Sequence, residues 1–330
     1  MEIEYDRPAT GERLIKIKRF LETSGLDWDE AITATVSLTK NGQIIATGSR
    51  QRNVLKCVAA SPARQGEGLI STVMSELVKD AHAEGFSHLF IFTKPNNIEI
   101  FAGLGFYPLA ETAGAALLEN RRNGVSDYAA SLKKPEAEGV IGAIVANCNP
   151  FTNGHRYLAE TASRECSFVY MFILTEDSGG FPAETRFRLA RDSVSDLKNV
   201  FVCPTGPYLV SYATLPDYFI KDKVMAKDIN YGLDIALFAE RFAKPLGIFR
   251  RYVGTEPSCV VTAGYNARMK ELLPGYGIDV IEVQRREQNG QAVSASAVRA
   301  LLAEGRLEEV RPLVPEAVYS YLKERNRDAR

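Results

Sequence analysis

Apolar and polar positions alternate in short runs over residues 32–59, the two-residue period of half-buried strands. Asn41-Gly42 separates the runs 33–38 and 43–48, and this pair favours a tight hairpin turn, so an antiparallel start is predicted. Over 68–84 the period lengthens: Leu69, Val73, Leu77 and Ala81 recur at four-residue steps and share one face of a helix. Residues 89–92 then read as a buried strand. The stretch Lys133-Lys134-Pro135-Glu136-Ala137-Glu138-Gly139 is charged and proline-bearing, and it gives way abruptly to the apolar run 140–146. Strand-like runs at 140–146, 168–174, 200–203, 249–253 and 278–283 alternate with helix-like segments, the pattern of a parallel α/β sheet. The pattern predicts an α+β domain over 1–135 and a parallel-sheet domain over 136–330.

A length of 330 residues accommodates two cores, and 45% hydrophobic with 25% charged residues is ordinary for packed domains. The 40 basic and 41 acidic side chains leave a formal net charge of −1, without the positive excess that a nucleic-acid-binding protein needs. The five cysteines, Cys57, Cys148, Cys166, Cys203 and Cys259, are odd in number and contain no Cys-x-x-Cys pair, which fits a reducing cytoplasm. The N-terminus lacks the basic start and apolar run of a signal peptide. The uncharged stretches 139–155 and 199–216 are broken by proline, glycine and polar residues, so no membrane span is expected.

Candidate chemistry lies where the first parallel strand ends, in Asn149-Pro150-Phe151-Thr152-Asn153-Gly154-His155, ahead of the helical pattern 156–163. Ligands sit at the carboxyl ends of such strands, and the amides opening the next helix attract phosphate. Gly154 allows close backbone approach, and Thr152 and His155, three apart, can face one phosphate. Each part also has a plain reading: Asn-Pro and Asn-Gly form turns, Thr152 or Asn153 caps a helix, and one histidine can be structural. As a composite the string resembles the T/H-x-G-H signature of the nucleotidyltransferase superfamily, in its citrate lyase ligase version. Ser294-Ala295-Ser296-Ala297-Val298-Arg299 resembles the S-x-S-x-x-R triphosphate element that accompanies it. Ser296 is expected to cap the following helix, with Arg299 in its first turn, a position that an anion makes favourable. Between the two, Gly254-Thr255-Glu256-Pro257 and 261–266 resemble the family's adenosine-contacting stretch, which makes Glu256, Tyr265 and Asn266 candidates. The segment 211–219 also resembles citrate lyase ligase, without a role that residue type reveals.

In the first domain, Arg64-Gln65-Gly66-Glu67-Gly68 precedes the 69–84 helix and resembles the pyrophosphate loop of GNAT-type N-acetyltransferases, which bind coenzyme A. Gln65, Gly66 and Gly68 are the candidate contacts; Asn97 and 101–107 resemble that fold's closing helix and strand. Two residues depart from the pattern. Ile70 replaces a small residue, and Phe101 stands where a proton-donating tyrosine is common, which suits a thiol acceptor better than a departing thiolate.

The resemblances imply an acyltransferase-like α+β domain followed by a Rossmann-like nucleotidyltransferase domain, together an ATP-dependent ligase. Acetate would attack the α-phosphorus of ATP to give acetyl-AMP, and acetyl would pass to the thiol of the CoA-like prosthetic group on the citrate lyase acyl carrier subunit. His155 and Thr152 would stabilise the α-phosphate region, and Ser294, Ser296 and Arg299 would hold pyrophosphate, with Asn149, Pro150, Phe151 and Gly154 lining the nucleotide site. Mg²⁺ would travel on the ATP phosphates, without a dedicated protein ligand. The alternatives are a phosphopantetheine or pyridine mononucleotide adenylyltransferase, and a non-enzymatic nucleotide-sensing scaffold.

Overall fold

The structure, a computed structural model, describes residues 1–64, 66–133, 135, 138–176, 179–215, 231–256, 259–288 and 291–328. Gln65, Pro257 and the end of segment 211–219 fall outside these residues. The chain forms two compact units, Met1–Gly124 and Val125–Arg330.

In the first unit, among the described residues, β1 (Glu2–Asp6), β2 (Ala34–Lys40), β3 (Gln43–Gln51), β4 (Val54–Ala60), β5 (Phe90–Thr93), β6 (Tyr107–Glu111) and β7 (Ala116–Glu119) build one sheet in the order β1-β2-β3-β4-β5-β7-β6. All pairings are antiparallel except β4 with β5. That parallel pair touches only at Val54↔Phe90 and Leu55↔Ile91. The β2–β3 turn uses Asn41 at φ 53° and Gly42 at φ 73°, the left-handed values that made Asn-Gly a hairpin signal. Strand alternation sends Val36, Leu38 and Ala46 into the core formed with Leu69, Val73 and Leu77 of α2 (Leu69–Ala83). The opposite face carries buried hydroxyls that satisfy one another, Thr35 with Ser49 at 3.0 Å and Ser37 with Thr47 at 3.1 Å. Arg50, fully buried on β3, donates to Asp80 of α2 at 2.6 Å and so fixes helix to sheet through a desolvated pair.

The second unit is built on a parallel sheet of β8 (Ile141–Ala146), β9 (Phe168–Ile173), β10 (Val200–Pro204), β11 (Ile248–Gly254) and β12 (Asp279–Val283), in the order β10-β9-β8-β11-β12. Helices α5 (Asn153–Glu165), α6 (Ala183–Ser193) and α9 (Val260–Leu272) each follow a strand, as parallel crossovers require. One core joins Ile144, Met171 and Tyr252 of the sheet to Ala159 and Ala162 of α5 and Leu189 of α6. It also takes in Val298 of α10 (Ala295–Ala303) and Val318 and Leu322 of α12 (Glu316–Asp328). Elsewhere Phe172 packs edge-on against Phe242, ring centroids 5.9 Å apart. Phe242 also meets Tyr128 of α4 (Gly124–Ser131), whose hydroxyl donates to the Pro204 carbonyl at 2.5 Å. Thus α4 packs within the second unit although it precedes the charged stretch around residue 135. Among the described residues no helix is long and apolar enough to cross a membrane.

Candidate functional site

The central strand β8 ends at Ala146, and the chain turns through 147–152 into α5. Thr152 is extended (φ −128°, ψ 167°) and forms a reciprocal cap with His155, the third residue of the helix. The Thr152 N–H donates to His155 Nδ1 at 3.0 Å, and Thr152 Oγ1 lies 2.9 Å from the same nitrogen. Because Nδ1 accepts a main-chain proton, the neutral ring carries its own proton on Nε2, which makes His155 a donor away from the cap. Burial, and secondarily the positive charge of Arg285, push the His155 pKa down to about 4, so the ring is neutral near pH 7. Phe151, fully buried, tilts against the imidazole with centroids 5.4 Å apart and fixes its plane.

Asn149 is turned towards Gly179 and Phe181. Its side chain donates to Gly179 O at 2.6 Å and accepts from Phe181 N at 3.0 Å, pinning the loop that follows β9. Gly180, at φ +87°, allows this, since a Cβ there would stand 2.6 Å from Asn149 Oδ1. Arg186 of α6 is fully buried and completes the scaffold, donating to Phe181 O at 3.0 Å, Asn147 O at 2.9 Å, Asn147 Oδ1 at 2.7 Å and Glu176 O at 2.7 Å. Sequence pattern gave no sign of it, because Arg186 sits in a helix that also carries Arg188 and Arg191.

The second motif arrives through a short ribbon, β13 (Glu287–Gln288) with β14 (Gln291–Ala292). Here the expected cap is corrected. Ser294, not Ser296, is extended (φ −133°, ψ 151°) and accepts from Ala297 N, so α10 begins at Ala295 and Ser296 lies inside its first turn. Ser296 instead accepts from Arg299 Nη2 at 3.1 Å. Arg299 Nη1 donates to the carbonyl of Asn149, bringing the two motifs together from 150 residues apart in sequence. A second contact joins them: a Cβ on Gly154 would stand 3.0 Å from Val293 O, so the glycine permits close main-chain approach. The openings of α5 and α10 therefore lie together, and amide groups at both helix starts favour an anion.

At the end of the neighbouring strand β11, Asn266 Nδ2 donates to Gly254 O at 3.0 Å. Glu256 accepts from Cys259 N at 3.1 Å and pairs with Arg285. Tyr265 is turned away into the interior, where its hydroxyl bonds the buried carboxylate of Asp234. Desolvation raises the Asp234 pKa against these hydrogen bonds. In the first unit Gly66 (φ +88°) and Gly68 (φ +69°) hold left-handed conformations before α2; their partner in the resemblance, Gln65, lies outside the described residues. Among the described residues no group of three or more His, Cys, Asp or Glu side chains is placed to hold a metal ion.

A profile described as the citrate lyase ligase C-terminal domain matches residues 141–322. A citrate (pro-3S)-lyase ligase of Klebsiella pneumoniae is 40% identical over 312 residues, covering 93% of this chain and 91% of that protein. The protein of the same name from Escherichia coli K12 is 37% identical over 322 residues, covering 96% and 92%. Among solved structures, Thermotoga maritima TmcAL bound with alpha-thio ATP aligns at 18% identity with a TM-score of 0.38, over 58% of this chain and 56% of that one.

Proposed function

This chain belongs to the citrate lyase ligase family, and on that premise we propose that it activates acetate with ATP as acetyl-AMP and acetylates the thiol of a CoA-like prosthetic group on the citrate lyase acyl carrier subunit. The observation that supports the adenylation step most directly is the Arg299 to Asn149 hydrogen bond, which joins the two candidate phosphate motifs. In the first half-reaction an acetate oxygen attacks the α-phosphorus, the bond to the bridging oxygen of pyrophosphate breaks, and that oxygen leaves with its electron pair. His155 donates an Nε2–H hydrogen bond to the α-phosphate, with Thr152 holding the ring, while Arg299 offsets the charge of the leaving pyrophosphate and Ser294 and Ser296 donate hydrogen bonds to it. In the second half-reaction the thiol sulfur attacks the acetyl carbon, its proton passes to solvent, and AMP leaves with the carbon–oxygen bond pair.

Gly154 and the amides opening α5 suit a phosphate, whereas Asn149 and Phe151 act as supports through the 179–181 loop and the His155 ring. Asn266 and Glu256, at the end of β11, are the adenosine-side candidates; Tyr265 supports them from the interior through Asp234. Mg²⁺ is proposed to travel on the ATP phosphates, since the ion keeps most of its waters and commonly binds substrate phosphates with few protein ligands. The loop at 65–68, whose Gly66 and Gly68 precede α2 in left-handed conformations, is the proposed receptor for the prosthetic arm. The five cysteines are free, as suits the reducing cytoplasm. A different adenylyltransferase is less well supported, since the ligase relatives align over more than nine-tenths of the chain. The test is acetate-dependent exchange of labelled pyrophosphate into ATP, repeated with thiol-form citrate lyase. A requirement for acetyl-CoA as acetyl donor would refute the proposal.

A further inference from the structure

Between β12 and the ribbon β13–β14 stands an arginine whose surroundings are unlike those of a surface charge. The main-chain N–H of Arg285 donates to Thr255 Oγ1 at 3.1 Å, its Nε donates to Thr255 O at 2.6 Å, and its Nη2 pairs with Glu256. These contacts hold one edge of the guanidinium. Nη1 makes no hydrogen bond among the described residues, and the side chain is 27% exposed, so the opposite edge stays available. Glu256 is itself held by the amide of Cys259 before α9, which keeps the pair from swinging.

The path of the chain brings Arg285 close to the anion site. Thr255 and Glu256 follow β11, the neighbour of β8 in the sheet, whose own end leads into 147–155. The residue after Arg285 accepts from Val293 N at 2.9 Å, and Val293 O is the atom that lies against Gly154, next to His155. Arg285 is also the charge that lowers the pKa of His155 after burial has done so, as proximity of the two groups requires.

We infer that Arg285 is a catalytic residue of adenylation, its free Nη1 edge donating to the phosphate group next to His155, and that Glu256 is the residue positioning it. This rests on the adenylation reading. Arg285 and Arg299 then divide the triphosphate: Arg285 with His155 at the α-phosphate, Arg299 at the outer phosphates. A guanidinium held at Nε and Nη2 before ligand arrives is a preorganised donor, the kind that stabilises charge as it develops.

The test compares wild type, Arg285→Ala, Arg285→Lys and Glu256→Gln in the full chain. In Arg285→Ala the maximal rate of acetate-dependent pyrophosphate exchange should fall about a hundredfold, the scale of one lost preorganised donor. AMP and ATP should both bind about tenfold more weakly, whereas Arg299→Ala should spare AMP. The lysine variant should recover part of the rate, and Glu256→Gln should lower the rate less than Arg285→Ala, because Nε of Arg285 stays held by Thr255 O. Ring titration of His155 by NMR, tractable with three histidines in the chain, should show its midpoint rising in folded Arg285→Ala. An exchange rate within twofold of wild type and unchanged AMP affinity in Arg285→Ala would overturn the inference. If wild type itself shows no acetate-dependent exchange, the adenylation reading fails separately. AMP affinity and the His155 midpoint then decide Arg285, and wild-type values for both in Arg285→Ala overturn its placement.

Discussion

Gly154→Ala adds one carbon where the two proposed phosphate motifs meet. Gly154 is the second residue of α5 and has no left-handed φ, so the new Cβ strains no backbone; it meets Val293 O at 3.0 Å and Thr152 Oγ1 at an ordinary 3.5 Å. The carbonyl cannot rotate aside as a side chain would, because Val293 is buried and its amide is bonded to Arg286 O at 2.9 Å. Relief therefore requires the main chain before α10 to move by a few tenths of an ångström. Two terms compete in stability. Alanine is favoured over glycine in a helix by about 0.8–1 kcal/mol, and overpacking costs typically about 1–3 kcal/mol. The net is a loss of roughly 0–2 kcal/mol, small against a whole domain's stability. The effect on catalysis is larger, since the shift carries Ser294, Ser296 and Arg299 away from His155, and a full ångström of misplacement can cost about 10²-fold. A roughly tenfold slower pyrophosphate exchange is expected, with a raised KM for ATP and urea unfolding displaced by less than about 2 kcal/mol. Wild-type exchange and ATP affinity in a folded Gly154→Ala protein would refute the claim that this contact sets the site.

Arg299→Ala should weaken ATP binding and slow adenylation while AMP binds almost normally, measured by calorimetry; equal losses for both ligands would contradict its place at the outer phosphates. The His155 pKa of about 4 lies below the ordinary histidine value, so the neutral folded form contributes stability that is complete above pH 6.5 and is lost as pH falls toward 4. Urea unfolding at pH 7.5 and 4.5 should therefore show a wild-type loss about 1–3 kcal/mol larger than that of His155→Asn, and parallel losses would remove the effect. His155→Ala should reduce acetyl-AMP formation about a hundredfold or more, read by pyrophosphate exchange on a protein shown to be folded. A chain beginning at Val125 should adenylate acetate but transfer acetyl poorly to carrier thiol, and one beginning at Glu138 should be less stable through loss of Tyr128; full transfer by the former would detach the 65–68 loop from thiol binding.

What the sequence disclosed was local. The Asn41-Gly42 hairpin, the α2 face and the alternation of strands and helices in the second unit depend on neighbours a few residues away, and periodicity carries them. The 149–155 and 294–299 strings were legible for the same reason, each being a self-contained strand-to-helix or loop-to-helix turn. Their union was not, because Arg299 finds Asn149 O only after the sheet has folded. The choice between Ser294 and Ser296 was hidden as well. Both are good caps, and Val293, tied to Arg286, fixes the path of the chain so that Ser294 takes the Ala297 amide. Arg186 and Arg285 resemble any surface arginine in sequence; their contacts come from loops after β8, β9 and β11 that lie far along the chain. Tyr265 illustrates the reverse case, a polar residue near a motif whose partner is a buried carboxylate.

If His155 faces the α-phosphate as proposed, the cap that binds its Nδ1 to the Thr152 amide also limits which small molecules can interfere with the enzyme. With that nitrogen occupied, the imidazole has one hydrogen to offer and no lone pair to receive one, so it discriminates by polarity of hydrogen bond rather than by charge. An inhibitor built on acyl-adenylate should therefore keep an acceptor oxygen opposite Nε2. A sulfamoyl linkage, with sulfonyl oxygens in place of phosphoryl ones, meets that demand. An isosteric linker presenting N–H at the same spot would set donor against donor and should bind more weakly, even where shape and adenosine contacts are unchanged.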